Sequence, residues 1–470
     1  MDRKSPLLLN DEQMKQFITN GYLILHTDFS EAFHESLMTQ LNKVYEEEGN
    51  PGNNLLPRIR EIQKIFDHPV ITGALTSVLG PDYMLHAHRH GHFNANPVAG
   101  GWHKDSYWGY GRMRNHHPWW AMIMYFPQDT PPELGPTGIM PGTQNYETRV
   151  FDKDDAAGEA LASGKAGTFA LIHYDIWHRS TPNVLGNPRY MLKFEFMRTQ
   201  APAKPSWDAQ GVPWSTPAGL APGMTAHDRQ WEETWSWLSG SIGSIAGTRP
   251  DDATAIRELA LQLEDAYEPH ALNAAYELAS RGKGGVEALL AALKHERTEV
   301  SRLAAYGLSV SGKEAVPGLT AALDEAREAT VVHAAFALGE LRQLAALAVP
   351  KLIGLLEGPS ADIRRAVVET LGMIGPDAPG AVNGLIRGLQ DEDTQVRFMA
   401  GLALTRLGRA GEAAVPALER SLDDENRYVR AHAAEALRYI GTPEAHDVLI
   451  RELFQSRWCA TTTKANTFYP

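Results

Sequence analysis

Three His-x-Asp triplets stand out among the residues that could do chemistry. Side chains two apart on a strand point to the same face, so the histidine and aspartate of such a triplet can bind one metal ion. Two histidines and one carboxylate form the facial triad typical of non-haem Fe(II) oxygenases, which leaves open positions for a co-substrate and O₂. Because the chain has 18 histidines, copies by chance are expected. The triplets are His26-Thr27-Asp28, His103-Lys104-Asp105 and His173-Tyr174-Asp175.

The residues that follow favour the second triplet. An aromatic stretch, a glycine-rich GPTGIMPGTQ segment and a strand-like run at 167–172 lead to His178, a natural third ligand. Arg189, eleven residues later, opens a second strand-like run at 190–196. Its planar guanidinium suits bidentate binding of a carboxylate, such as the distal carboxylate of 2-oxoglutarate. We therefore predict a metal site next to a carboxylate-binding arginine.

Taken together, these motifs resemble the phytanoyl-CoA dioxygenase family over residues 9 to about 240. The similarity rests on the opening LNDEQMKQFITNGYLIL, on WHKD, on GIMPGT and on WHRSTPN with Arg189, in that order and spacing. The resemblance implies a double-stranded β-helix, or jelly roll, with Fe(II) held by His103, Asp105 and His178. It also implies that Arg189 and Ser180 hold the 2-oxoglutarate carboxylate.

The same resemblance implies the reaction. It predicts an enzyme that uses Fe(II), 2-oxoglutarate and O₂ to oxidise an unactivated C–H bond of a small organic substrate, releasing succinate and CO₂. Halogenases of this kind replace the carboxylate ligand by a small residue, which makes room for chloride. Because Asp105 is present, hydroxylation or a related oxidation is favoured over chlorination.

The segment HAHRHGHF places four histidines on one face of a predicted strand: His86, His88, His90 and His92. One interpretation is a second metal site. The other is a polar wall of the barrel that touches 2-oxoglutarate or the substrate. Because the family often has a co-substrate contact on the strand before His-x-Asp, His86 and His88 are the candidates.

The segment YWGYGRMRNHHPWW combines aromatic and basic side chains. It could cover the active site and contact an anionic or ring-bearing substrate. Alternatively, its adjacent tryptophans, Trp119 and Trp120, are core strand residues, which is the more common fate of such a pair. The candidate substrate contacts are Trp108, Arg112, His117 and Trp120.

The second half of the chain repeats. One column of leucines, Leu319, Leu352, Leu385 and Leu418, recurs every 33 residues. A Val-Pro column at 316, 349 and 415 keeps the same step, with Val382-Asn383 at the intervening place. Each unit reads as two helices, the second opened by Val-Pro, where the missing N–H of proline costs nothing. The units resemble short HEAT-like repeats that stack into an α-helical solenoid. The predicted domains are an oxygenase domain at 1–245, a HEAT-like domain at 251–456 and a tail at 457–470.

Bulk composition excludes several classes of protein. A formal net charge of -13 disfavours a nucleic-acid binder, which needs a basic surface. The single cysteine, Cys459, excludes an intrachain disulfide. No apolar run is long enough for a signal-peptide core or a membrane span. We expect a cytoplasmic protein without membrane or nucleic-acid partners.

The repeats leave the type of substrate open. They could serve a small-molecule hydroxylase as an accessory domain that binds a protein partner or a second copy of the chain. They could instead recruit a polypeptide, which would make the protein a protein hydroxylase. A non-catalytic repeat scaffold is the third alternative, but the complete triad and Arg189 argue against it.

Overall fold

The computed structural model describes residues 5–105, 113–152, 157–376, 378 and 380–455. Within this part, β-strands occur only before residue 200 and the C-terminal half is helical, so the chain is a mixed β and α protein. It divides into two compact units, 1–337 and 338–470. None of the described helices combines the length and apolar character needed to cross a bilayer.

Two antiparallel sheets form the β part of the first unit. The five-stranded sheet has the order β1-β6-β3-β8-β2, and the three-stranded sheet has the order β5-β4-β7. The strands are β1 (Tyr22–His26), β2 (Met84–Asn94), β3 (Trp120–Tyr125), β4 (Thr137–Ile139), β5 (Ala160–Leu161), β6 (Thr168–His173), β7 (His178–Ser180) and β8 (Arg189–Met197).

The core of the β part lies on the central strands. Every residue of β3, β6 and β8 is buried. Strand β2 pairs with β8 along its length, but the pairing slips between Leu85 and Arg89. Beyond the slip the two strands continue in regular register, with Asn94 opposite Arg189. The pair therefore ends with two polar side chains opposite each other.

Helices surround the sheets and continue the first unit beyond residue 227. Helix α1 begins with a capping box between Asn10 and Gln13 and ends at Gly21, whose φ of 76° suits glycine. The helices are α1 (Asp11–Asn20), α2 (Glu31–Glu48), α3 (Leu55–Arg58), α4 (Gln63–Phe66), α5 (Pro69–Leu79), α6 (Asp228–Leu238), α7 (Ala253–Gln262), α8 (Glu268–Ala279), α9 (Gly282–Ala292), α10 (Thr298–Ser309), α11 (Val316–Ala322) and α12 (Glu328–Glu340).

The second unit is helical throughout its described residues. Arg364 bonds Asp391 through two nitrogens at 2.8 and 3.0 Å, and Arg397 bonds Asp424 at 2.8 Å, so one ion pair recurs after 33 residues. Helix α16 packs between α14 and α18. The helices are α13 (Val349–Leu355), α14 (Ala361–Ile374), α15 (Ala381–Gly388), α16 (Thr394–Leu407), α17 (Val415–Ser421), α18 (Arg427–Ile440) and α19 (Pro443–Gln455).

Several predicted elements are confirmed. The opening helix and strand are α1 and β1, and the two strand-like runs near the predicted ligands are β6 and β8. Each Val-Pro pair opens a helix, with the valine as its first residue in α11, α13 and α17. The proline therefore stands in the first turn, as its missing donor predicts.

Candidate metal centre

The three predicted metal ligands converge in the first unit. One ligand atom from each of His103, Asp105 and His178 lies within 4.8 Å of the others. His178 opens β7, and His103 pairs with it in an isolated antiparallel bridge. The backbone N–H of each residue donates to the carbonyl of the other at 3.0 Å. The two histidines are thus fixed side by side by the main chain.

Hydrogen bonds to the backbone orient both imidazole rings. Nδ1 of His103 lies 2.9 Å from the carbonyl of Gly101, and Nδ1 of His178 lies 3.1 Å from the carbonyl of Ile176. A carbonyl only accepts, so each Nδ1 carries the proton and each Nε2 keeps its lone pair for a metal. Burial lowers the pKa of His178 to about 4. Both rings can therefore bind a metal through Nε2.

Asp105 has one oxygen engaged and the other available. Its Oδ1 accepts from Nζ of Lys193 at 2.9 Å. Its Oδ2 lies 3.4 Å from Nε2 of His178 and is buried without a hydrogen-bond partner. Burial alone would raise the pKa of Asp105, but His178 and Lys193 outweigh it and hold that pKa well below its usual range. An ionised carboxylate with one free oxygen fits a cation at this position.

Lys193 is expected to position Asp105 for the metal. In Lys193→Met, Oδ1 loses its charged donor and the carboxylate can rotate, so affinity for Co(II) or Fe(II) should fall about 10- to 100-fold, the usual cost of losing a residue that orients a ligand. An anaerobic metal titration measures the change.

Lys165→Met is the matched control, because Lys165 is 82% exposed and pairs with Asp129 away from the triad. Wild-type affinity in Lys193→Met would show that the lysine does not position the carboxylate.

Arg189 is a buried cation with an unused donor. It is only 2% exposed, and its Nε donates to the carbonyl of Gly135 at 2.9 Å. Its Nη1 is buried without a partner, and no acidic side chain among the described residues pairs with it. Burial lowers the pKa of Arg189 to about 10. A buried guanidinium is costly unless an anion meets it, so this position fits a carboxylate ligand.

Arg189 and the triad share one cavity of about 210 Å³. Residues from both sheets line it, since β4 and β7 supply one side and β2, β3 and β8 the other. The lining is His92, Phe93, Asn94, His103, Asp105, Met124, Thr137, His178, Arg179, Ser180, Arg189, Met191 and Lys193. A metal and a small dicarboxylate would therefore meet in the same space.

The sequence matches two family models. Residues 25–191 match phytanoyl-CoA dioxygenase (PhyH), and residues 382–457 match HEAT repeats. The chain carries a phytanoyl-CoA dioxygenase domain. This PhyH domain, with its His-Asp-His triad, makes the protein a non-haem Fe(II)- and 2-oxoglutarate-dependent dioxygenase. The predicted family and cofactors are confirmed.

Solved structures resemble part of this chain, at TM-scores below 0.5. The 2-oxoglutarate-dependent carbocyclase SnoK of nogalamycin biosynthesis is 16% identical, covering 42% of this chain and 88% of its own, with a TM-score of 0.34. HygX from Streptomyces hygroscopicus, with nickel and 2-oxoglutarate bound, is 12% identical. The match covers 46% of this chain and 95% of HygX, with a TM-score of 0.34. EctD from S. alaskensis is 15% identical. The match covers 42% of this chain and 83% of EctD, with a TM-score of 0.35. No curated protein matches the chain.

Only some of the predicted co-substrate contacts of the PhyH domain line this cavity. Ser180 lines the cavity with Arg189. His86 and His88 do not, because they fall within the slipped part of β2 and lie against Glu195, at 3.4 and 3.8 Å from its carboxylate oxygens. His92, further along the same strand, lines the cavity instead. A co-substrate contact of His86 or His88 therefore stays a prediction.

Two of the predicted substrate contacts belong to the core. His117 stacks on Trp237 at 4.4 Å with nearly parallel rings, and Trp120 lies 3% exposed in β3 against Tyr174. Neither lines the cavity. The alternative interpretation, adjacent tryptophans as core residues, holds for Trp119 and Trp120, which are both buried. Trp108 and Arg112 lie outside the described residues.

Lys193 was missed as a site residue, although the sequence contains its signal. It follows Arg189 by four residues on β8, and residues an even number apart on a strand share a face. Once Arg189 is placed in the cavity, Lys193 is expected there too. His92 could not be chosen from its neighbours, because the slip in β2 is not visible in the alternation of histidines.

Proposed function

We propose that the PhyH domain oxidises an unactivated C–H bond of a small organic substrate while 2-oxoglutarate is converted to succinate and CO₂. The observation that carries this proposal is the shared cavity, where the free Oδ2 of Asp105 and the unpaired Nη1 of Arg189 are both buried. The oxygen of Asp105 can bind a cation, and the nitrogen of Arg189 can donate to a carboxylate. Their combination is what a metal and a 2-oxo acid require.

Each side chain then has a stated role. His103, Asp105 and His178 would hold Fe(II), and Lys193 keeps Oδ1 of Asp105 engaged. Arg189 and Ser180 would hold the distal carboxylate of 2-oxoglutarate. When bound, iron with 2-oxoglutarate and O₂ supplies the oxidising chemistry. The protein contributes orientation, a pocket of limited volume and partial exclusion of water, with Met124 and Met191 as apolar lining.

We also propose the type of β fold, the arrangement of the repeats and the bounds of the domains. The two antiparallel sheets, which both contribute residues to the lining of the cavity, support a double-stranded β-helix. The ion pair that recurs after 33 residues supports a HEAT-like solenoid. We propose domains at 1–245 and 251–456, with a tail at 457–470.

An anaerobic titration with Fe(II) and then 2-oxoglutarate tests the proposal. The expected result is a weak visible charge-transfer band that appears only when both are present. Under air, 2-oxoglutarate should then be converted to succinate slowly without substrate and faster with a suitable small molecule. If the wild-type protein binds no Fe(II) and shows no band, the proposed function is wrong.

The match to HEAT repeats at residues 382–457 supports a second candidate function, in which the repeats recruit a protein substrate. If a bound protein gains one oxygen atom in a reaction that requires His103, the protein hydroxylase is favoured. If a small molecule alone accelerates 2-oxoglutarate turnover, the first candidate is favoured.

A further inference from the structure

The segment that follows the first two metal ligands is held by the first helices of the repeat region. It is described from Met113 and leads into β3. Nδ1 of His116 lies 2.8 Å from the hydroxyl of Tyr276 on α8, and its ring stacks on Tyr306 of α10 at 3.8 Å. The backbone N–H of Arg114 donates to the hydroxyl of Tyr306 at 3.2 Å. His116 and both tyrosines are buried.

Glu268, the first residue of α8, makes a second connection. Its carboxylate accepts from the backbone N–H groups of Glu147 and Thr148 at 2.9 and 2.8 Å and from the hydroxyl of Thr148. Arg302 of α10 approaches the same carboxylate at 3.5 Å. A buried carboxylate with this many donors fixes the loop around 147 firmly onto the two helices.

Arg114 links these contacts to the metal centre. Its Nε donates to Glu147 at 3.1 Å, and its Nη1 donates to Asp175 at 2.8 Å and approaches the carbonyl of Asp105 at 3.5 Å. Asp175 precedes His178 by three residues. One guanidinium therefore contacts the main chain of one ligand and the turn that leads into another.

We propose that α8 and α10 are positioning elements of the iron site, acting through Glu268, Tyr306 and Arg114. The inference rests on the proposed function, since it assumes that the triad binds iron. Small displacements of a ligand are costly at a metal site, so residues that fix the ligand backbone govern affinity and ligand field. The repeats that begin at α8 then serve the oxygenase directly, whatever partner the later repeats bind.

Cobalt(II), which reports its coordination through visible absorption, is the probe for the full-length protein. Tyr306→Phe removes only a hydroxyl and leaves the N–H of Arg114 without its acceptor, while Glu268→Gln removes the charge that fixes the 147 loop. We expect about 10-fold weaker Co(II) binding and an altered visible spectrum of the bound ion in both variants, within the range for residues that orient ligands. Glu299→Gln, an exposed glutamate on α10, and Tyr428→Phe in the second unit are the matched controls.

The thermal unfolding temperature, measured without metal, separates positioning from folding. Wild-type affinity and spectrum in both variants, with only a lower unfolding temperature, would overturn the inference. If Glu268→Gln does not fold, the isosteric Tyr306→Phe decides the question alone. Failure of the wild-type protein to bind Co(II) would overturn the metal site as a whole, and is thereby distinguished from failure of the inference.

Discussion

The His178→Ala protein is expected to lose Fe(II) binding and, with it, all 2-oxoglutarate turnover. His178 is buried, its Nδ1 is committed to the carbonyl of Ile176, and its Nε2 faces Oδ2 of Asp105. Removing one of three protein ligands should weaken metal binding by about 100-fold or more, beyond the 10- to 100-fold that changes around a ligand cost. Anaerobic calorimetry with Fe(II) measures the affinity, and succinate formation measures turnover.

His446→Ala provides the control for this loss, since His446 is an exposed histidine on α19. It should bind Fe(II) like the wild type. If His178→Ala keeps wild-type affinity, the third ligand lies elsewhere in the chain. Loss of affinity together with a collapsed fold would be recognised by the far-ultraviolet circular dichroism of the apo-protein.

Arg189→Met is expected to change affinity and stability in opposite directions. Truncating one partner of a buried charge pair costs about 2–5 kcal/mol, so the Kd for 2-oxoglutarate should rise by about 30-fold or more. Without 2-oxoglutarate the arginine is a buried cation that lacks an anion, and an apolar side chain of similar length should be tolerated or should stabilise the fold by about 1 kcal/mol or more. The chain is thus expected to unfold at a higher temperature while binding its co-substrate more weakly.

Two measurements on the Arg189→Met protein are needed, one of affinity and one of stability. Calorimetry of 2-oxoglutarate binding to the metal-loaded protein gives the first, and thermal unfolding of the apo-protein gives the second. Arg387→Met should change neither, because Arg387 is exposed and pairs with Glu357 in the second unit. If Arg189→Met lowers the unfolding temperature and leaves the Kd unchanged, Arg189 is a structural residue.

The convergence of His103, Asp105 and His178 could be predicted because its signal is local. His103-Lys104-Asp105 was chosen from three triplets by the motifs that follow it, and the structure explains the rejection of the others. Asp28 of the first triplet pairs with His68, and Asp175 of the third pairs with Arg114. The position of Arg189 in the same cavity was predictable for a similar reason, as it opens a strand shortly after His178.

Features that depend on distant parts of the chain could not be predicted. The slip in β2 places three residues where a regular ladder would place one, and it moves His86 and His88 towards Glu195. The contacts of His116 with Tyr276 and Tyr306 join residues more than 150 positions apart in the sequence. Alternation and spacing carry no information about such pairs, because they describe only neighbours on one element.

The backbone bridge between His103 and His178 has a consequence for the choice of metal. The two rings are adjacent because of main-chain hydrogen bonds and need no ion to bring them together. A site built in advance from two imidazoles and a carboxylate gives little discrimination among divalent metals, and intrinsic affinity rises from Fe(II) through cobalt and nickel to copper. Occupancy by iron is therefore expected to depend on which metals are available, and protein purified without care for its metal supply should carry a mixture of ions that compete for the same three side chains.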